Sequence, residues 1–122
     1  MTVREALTAI KGIKPSQYDD ETLVRWLGDL DGRIYQDVLC RYGEAARPAL
    51  PYHVDTDMGR ALLAPSPHDD LYLKWLGAQI DYHNAEFERY NNAMVMFNAG
   101  WQAFADAWNR EHMPRQDAYI KI

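Results

Sequence analysis

Two groups of side chains have the types and spacing that metal or acid–base chemistry would need. His53, Asp55 and Asp57 alternate along the chain. On an extended segment all three would point to one side, as metal ligands do. The competing reading, a solvated polar turn, is the commoner use of such a cluster. His83 and Glu86 form the second group, three residues apart. Carboxylate-bridged di-iron bundles use Glu-x-x-His on two helices, with further glutamates opposite. Here the order is reversed and the motif occurs once, so His83 is expected at a core or half-buried helical position with a hydrogen-bond partner, and Glu86 at the surface. The single cysteine, Cys40, has only Arg41 beside it as a charged neighbour and reads as a small helical residue rather than a nucleophile. The chain has no G-x-S-x-G elbow, phosphate-binding glycine loop, dinucleotide fingerprint or C-x-x-C pair. No enzymatic activity, metal or cofactor is expected.

The elements carrying these residues are mostly helical. Thr2 and Glu5 make a T-x-x-E capping box ahead of Val3, Ala6, Leu7 and Ile10, which predicts a helix over 3–10 ended by Gly12 and Pro15. A second helix is predicted from Asp20 to Tyr42, with Leu23, Leu27, Leu30, Ile34 and Val38 on its apolar face and Gly43 as its stop. Gly28 and Gly32 inside it each cost about 1 kcal/mol relative to alanine, which close approach of another helix, or a bend, would account for. Residues 44–66 hold three of the six prolines and read as an irregular loop with short extended pieces at Tyr52–Val54 and Ala61–Leu63. Ser66 then serves as N-cap, Pro67 as first helical residue and Asp69 as a first-turn acid.

From there to Pro114 the apolar residues step by threes and fours. Leu73, Leu76, Ile80, His83, Phe87, Tyr90, Met94, Phe97, Trp101, Phe104 and Trp108 form a heptad-like stripe. A single helix over 67–112 would be about 69 Å long, whereas a compact domain of this size is roughly 35 Å across. The segment must fold back, near Asn91-Asn92 or Gly100, or project onto neighbouring subunits; the unbroken register favours one helix kinked near Asn91-Asn92. Tyr119, Ile120 and Ile122 could add a strand or dock on a neighbour. The expected fold is therefore mainly all-α: a single domain over 1–122, a helical bundle with a long heptad-patterned C-terminal helix and an irregular middle loop.

Composition narrows the function classes. The 122 residues are 48% hydrophobic and 25% charged, a globular balance. The net charge of −5 does not suit a chain whose task is gripping nucleic-acid phosphates. No apolar run would span a membrane and Met1–Glu5 lacks a signal core, so a soluble, non-secreted protein is expected. Aromatic residues reach 12%, with four Trp and eight Tyr, more than so short a chain buries without tight packing or a partner.

The residues also resemble a family. Tyr18-Asp19-Asp20-Glu21-Thr22-Leu23-Val24-Arg25-Trp26-Leu27-Gly28-Asp29-Leu30-Asp31-Gly32-Arg33-Ile34 resembles the N-terminal helix of small head–tail connector (adaptor) proteins of tailed bacteriophages and prophages. Leu62-Leu63-Ala64-Pro65-Ser66-Pro67-His68-Asp69-Asp70-Leu71-Tyr72 is similar to the entry of that family's long helix, and Arg89–Met94, Phe97-Asn98, Trp108–Arg110 and His112–Pro114 to its ending, so the likeness spans about residues 16–114. It implies a structural virion subunit, made in the bacterial cytoplasm and monomeric when free. Such a subunit forms a ring under the portal protein and docks the next connector or tail protein. Its mildly acidic wall would let DNA pass without specific binding, and no membrane is involved. On this reading Tyr90, Phe97, Trp101, Phe104 and Trp108 are the interface candidates, with the 44–66 loop. The alternative is a small cytoplasmic phage-encoded regulator or packaging accessory acting through a dimer or bundle interface.

Overall fold

A computed structural model describes residues 1–42 and 46–112. The predicted Gly43 stop and the Tyr119–Ile122 docking segment lie outside the described residues. Four α-helices dominate: α1 (Val3–Ile13), α2 (Asp20–Asp37), α3 (Leu71–His83) and α4 (Phe87–His112), with short 3-10 turns at Leu39–Tyr42 and His68–Asp70. The chain is mainly helical, 69% of the described residues, and forms a helical bundle.

The capping box at α1 is present. Thr2 N–H donates to Glu5 Oε1 (2.8 Å) and Glu5 N–H to Thr2 Oγ1 (3.2 Å). The next free N–H groups of α1 are taken by the middle segment: Val3 donates to the Arg60 carbonyl (3.0 Å) and Arg4 to that of Met58 (2.9 Å). Thr2 and Ala61 also form an isolated antiparallel bridge. Helix α1 runs through Gly12 to Ile13, beyond the expected end. Helix α2 stops at Asp37, earlier than expected, where Val38 leaves helical geometry and the chain tightens into a 3-10 turn. Ser66 is not an N-cap: His68 N–H donates to the Pro65 carbonyl (2.8 Å), and this turn leads into 3-10 geometry before α3 begins at Leu71.

The predicted continuous helix over 67–112 is two helices, broken neither at Asn91-Asn92 nor at Gly100 but at Asn84-Ala85-Glu86. Glu86 N–H donates to the Asp81 carbonyl (2.9 Å) and Ala85 N–H to that of Tyr82 (3.0 Å), with Ala85 at φ 59°. This is the Schellman ending of a helix, which normally places glycine at the left-handed residue. Asn84 Oδ1 fixes the turn by accepting from Tyr18 Oη (2.8 Å) and Gln17 Nε2 (3.0 Å). Helix α4 then folds back along α3, its most extensive neighbour. Gly100 lies inside α4 and permits this contact, since a Cβ there would stand 3.0 Å from Leu71 Cδ2.

The core gathers Val3, Leu7 and Ile10 of α1, Leu23, Leu27, Leu30 and Ile34 of α2, Leu71, Leu76 and Ile80 of α3, and Phe97 and Phe104 of α4. Gly28 and Gly32 are explained by a loop rather than a helix. A Cβ on Gly28 would lie 3.2 Å from Tyr52 N, and one on Gly32 3.1 Å from Leu50 Cδ1. The irregular segment is thereby laid directly on α2.

One buried polar cluster holds that segment. Asp31, fully buried on α2, accepts from Tyr72 Oη (2.5 Å), Tyr52 Oη (2.6 Å) and Leu63 N (3.2 Å). Tyr72 Oη in turn accepts from Ala64 N (2.7 Å). Burial pushes the Asp31 carboxyl up despite these donors, and burial together with the carboxylate pushes both tyrosine hydroxyls upward. The Asp31, Tyr52 and Tyr72 side chains are buried, so the cluster's role is to fasten loop to helices.

Candidate interaction surface

Helices α2 and α4 do not pack closely on each other; both lie against α3, which leaves a groove between them with α3 as its floor. Two concavities, of about 580 and 210 Å³, follow this groove and Arg33 lines both; a third, of about 580 Å³, lies between α2 and the loop residues Leu50 and Pro51, and Arg33 borders it too. The Arg33 guanidinium sits 5.2 Å over the ring of Trp75, a cation–π placement that keeps the head group in the groove. Trp75 is anchored beneath it, its Nε1 donating to the Trp26 carbonyl (2.9 Å). Arg33 takes part in no salt bridge among the described residues. Asp29 and Asp37 flank it along α2, and partial burial raises the Asp29 carboxyl while Arg25 and Arg33 oppose that shift. The opposite wall is α4, through Tyr90, Met94 and Trp101.

The groove opens at the α3–α4 turn onto a chain of rings. Tyr18 meets Trp26 (5.3 Å between centroids), Trp26 stacks on His83 (5.0 Å, 10° between planes), His83 meets Tyr82 (5.3 Å), and Tyr82 contacts Tyr90 (5.2 Å) and Phe87 (5.9 Å). Tyr82 and Phe87 are 48% and 55% exposed. Rigid aromatic surface of this kind, partly open to water, is what protein contacts use most.

Of the five interface candidates, Tyr90, Phe97 and Trp101 line the groove, Phe97 as a buried residue against Trp75. Phe104 is buried beside His68, and Trp108 is half-buried and stacks on His112 at 3.7 Å. Those two stand apart from the groove, and because α4 folds back, the aromatic row does not leave the domain as a projecting helix would carry it. Arg33, Trp75 and Tyr82 were missed in the sequence. Arg33 was one charge on an amphipathic helix, and its importance comes from α4 turning back to form the second wall.

The chemistry-bearing residues lie elsewhere. Asp57 closes a turn, accepting from His53 N–H (2.7 Å) and pairing with Arg60 (3.0 Å); the His53 N–H bond holds its carboxyl below the usual range. No set of three His, Cys, Asp or Glu side chains among the described residues could hold a metal ion. His83 is exposed and meets its neighbours through ring stacking, unlike the core or half-buried, hydrogen-bonded position expected of it, because it is the last residue of α3. It is separated from Glu86 by the turn, and Glu86 pairs instead with Arg89 (3.2 Å). Cys40 Sγ donates to the Gln36 carbonyl at 3.3 Å.

No described helix is long and apolar enough to cross a membrane. No family model, curated protein or solved structure matches the chain.

Proposed function

We propose that this protein works by binding other proteins, as a non-enzymatic subunit of a larger assembly, and that the assembly is the head–tail connector of a tailed phage. The observation that carries the binding reading is the groove between α2 and α4: an aromatic floor and wall around Arg33, continuous with exposed Tyr82 and Phe87. A partner segment offering an apolar side chain and a carboxylate or backbone carbonyl would fit it. The flanking Asp29 and Asp37, with the net charge of −5, disfavour phosphate backbones in the same place. The connector assignment rests on the resemblance of residues 16–114 described above. On this reading copies form a ring in the virion beneath the portal protein, present a docking surface to the next connector or tail protein, and let DNA pass without gripping it.

The test is co-sedimentation of the purified chain with portal rings encoded beside it. Saturation at a fixed ring stoichiometry is expected, and Arg33→Glu should weaken it. Absence of binding, with Arg33→Glu behaving as wild type toward every structural protein of the phage, would overturn the connector assignment and leave the regulator or packaging accessory as the better reading.

A further inference from the structure

Helix α4 has a second face, turned away from α3 and the groove, that no other described residue covers. Glu88, Asn92, Val95, Met96, Ala99, Gln102, Ala103, Asp106 and Arg110 are all exposed, and at 100° per residue they share one side of the helix. Val95 and Met96 are 67% and 59% exposed, more than Tyr82 or Phe87. The face is apolar in the middle, small at Ala99 and Ala103, and charged at its ends with opposite signs.

That pattern is symmetric about Ala99 in a way that names its occupant. Glu88 and Arg110 are equidistant from Ala99; so are Asn92 and Asp106, and Val95 and Ala103. Two copies of α4 laid antiparallel, with Ala99 on the two-fold axis, would set Glu88 against Arg110, Asn92 against Asp106 and Val95 against Ala103, each twice. A parallel pair would oppose Glu88 to Glu88 and Arg110 to Arg110, so the charges select the antiparallel arrangement. Neither Glu88 nor Arg110 is in a salt bridge among the described residues. The alanines would let the helix axes approach to the short end of the usual range of roughly 8–10 Å.

We propose that this face of α4 is a two-fold interface between two copies of this chain. The face is about 33 Å long and about 11 Å wide, well short of the roughly 800 Å² per partner of a standard stable interface. The dimer is therefore weak and reversible, with a dissociation constant on the order of micromolar or above. It is isologous and closed, unlike the head-to-tail contact that makes a ring. It goes beyond the connector reading and does not depend on it.

Site-directed disulfide trapping under a glutathione redox buffer, in a Cys40→Ser background, reads the register. Ala99→Cys is expected to form covalent dimer readily. Ala103→Cys alone should not, because its partner position is Val95, and a mixture of Val95→Cys and Ala103→Cys chains should give the cross-linked heterodimer. Equal trapping at positions 95, 99 and 103 would mean parallel pairing or random collision and would overturn the proposal. As a second readout, sedimentation equilibrium of Glu88→Arg or Arg110→Glu should show association weakened about tenfold, restored when both changes are in one chain; failure of the double variant to recover would also overturn it. Portal binding by Arg110→Glu separates the two readings: it should be retained, since the groove lies on the opposite side of α4.

Discussion

Replacing Asp31 with alanine should be among the most damaging single changes available. The substitution leaves the hydroxyls of Tyr52 and Tyr72 and the Leu63 N–H without their shared acceptor, all three having reached it at 2.5–3.2 Å. An unsatisfied buried donor costs about 1–3 kcal/mol. Tyr72 and Tyr52 are 0% and 3% exposed, so water cannot readily replace the carboxylate there, whereas Leu63 is only half-buried and can rehydrate. Relief of the buried charge offsets part of the loss. The expected net cost is about 3–5 kcal/mol, a large share of the roughly 5–15 kcal/mol that holds a domain together. Tyr72→Phe should cost about 2 kcal/mol, because it removes both the bond to Asp31 and the acceptor for Ala64 N–H. Urea unfolding followed by tryptophan fluorescence measures both, and the double variant should lose at least about 1 kcal/mol less than the sum of the singles. If Asp31→Ala unfolded within about 1 kcal/mol of wild type, or if the two changes were additive, the cluster would not be the fastening that holds the irregular segment to the helices.

Other outcomes follow from the same geometry. Asp31 has a carboxyl pKa raised by burial; between the ordinary carboxylate value and the raised one the folded chain keeps a proton the unfolded chain has lost, so this contribution to stability declines as pH rises through that window. The stability of wild type relative to Asp31→Asn should therefore decrease from acid to neutral pH, and a flat difference would contradict it. Gly28→Ala should destabilise, since its Cβ would meet the Tyr52 backbone nitrogen at 3.2 Å, whereas Gly32→Ala meets only the terminal methyl of exposed Leu50 and should be neutral or gain up to about 1 kcal/mol from helix propensity; thermal melts of the pair would show the opposite signs. Ala85→Gly should stabilise by about 0.5–1 kcal/mol, because glycine takes the φ of 59° without penalty, and a lower melting temperature would refute the reading of that turn.

The helical class, the capping box of α1 and the apolar faces of α1 and α2 were legible because each is written in local spacing. The α3–α4 turn was not, because the residue in the left-handed position is Ala85 instead of glycine, and the stripe of threes and fours runs on through Ile80, His83, Phe87 and Tyr90 as though no turn intervened. Asp31 carried no local sign of burial; its partners Tyr52, Leu63 and Tyr72 come from 21 to 41 residues away. Gly28 and Gly32 did signal close approach, but not that a loop rather than a helix makes it. The groove depended on the missed turn, since only a folded-back α4 supplies its second wall. Tyr90, Phe97 and Trp101 were identified among the interface candidates as part of an aromatic row, and Arg33 and Tyr82 could not be joined to them without that turn.

Hydrogen exchange of the chain, free and bound to portal rings, tests the partner-groove account most directly. Added protection should fall on the α2 segment around Asp29–Asp37 and on α4 from Tyr90 to Trp101, the two walls that share Arg33. Protection confined to α1, or no change in either wall on a demonstrably bound ring, would contradict it.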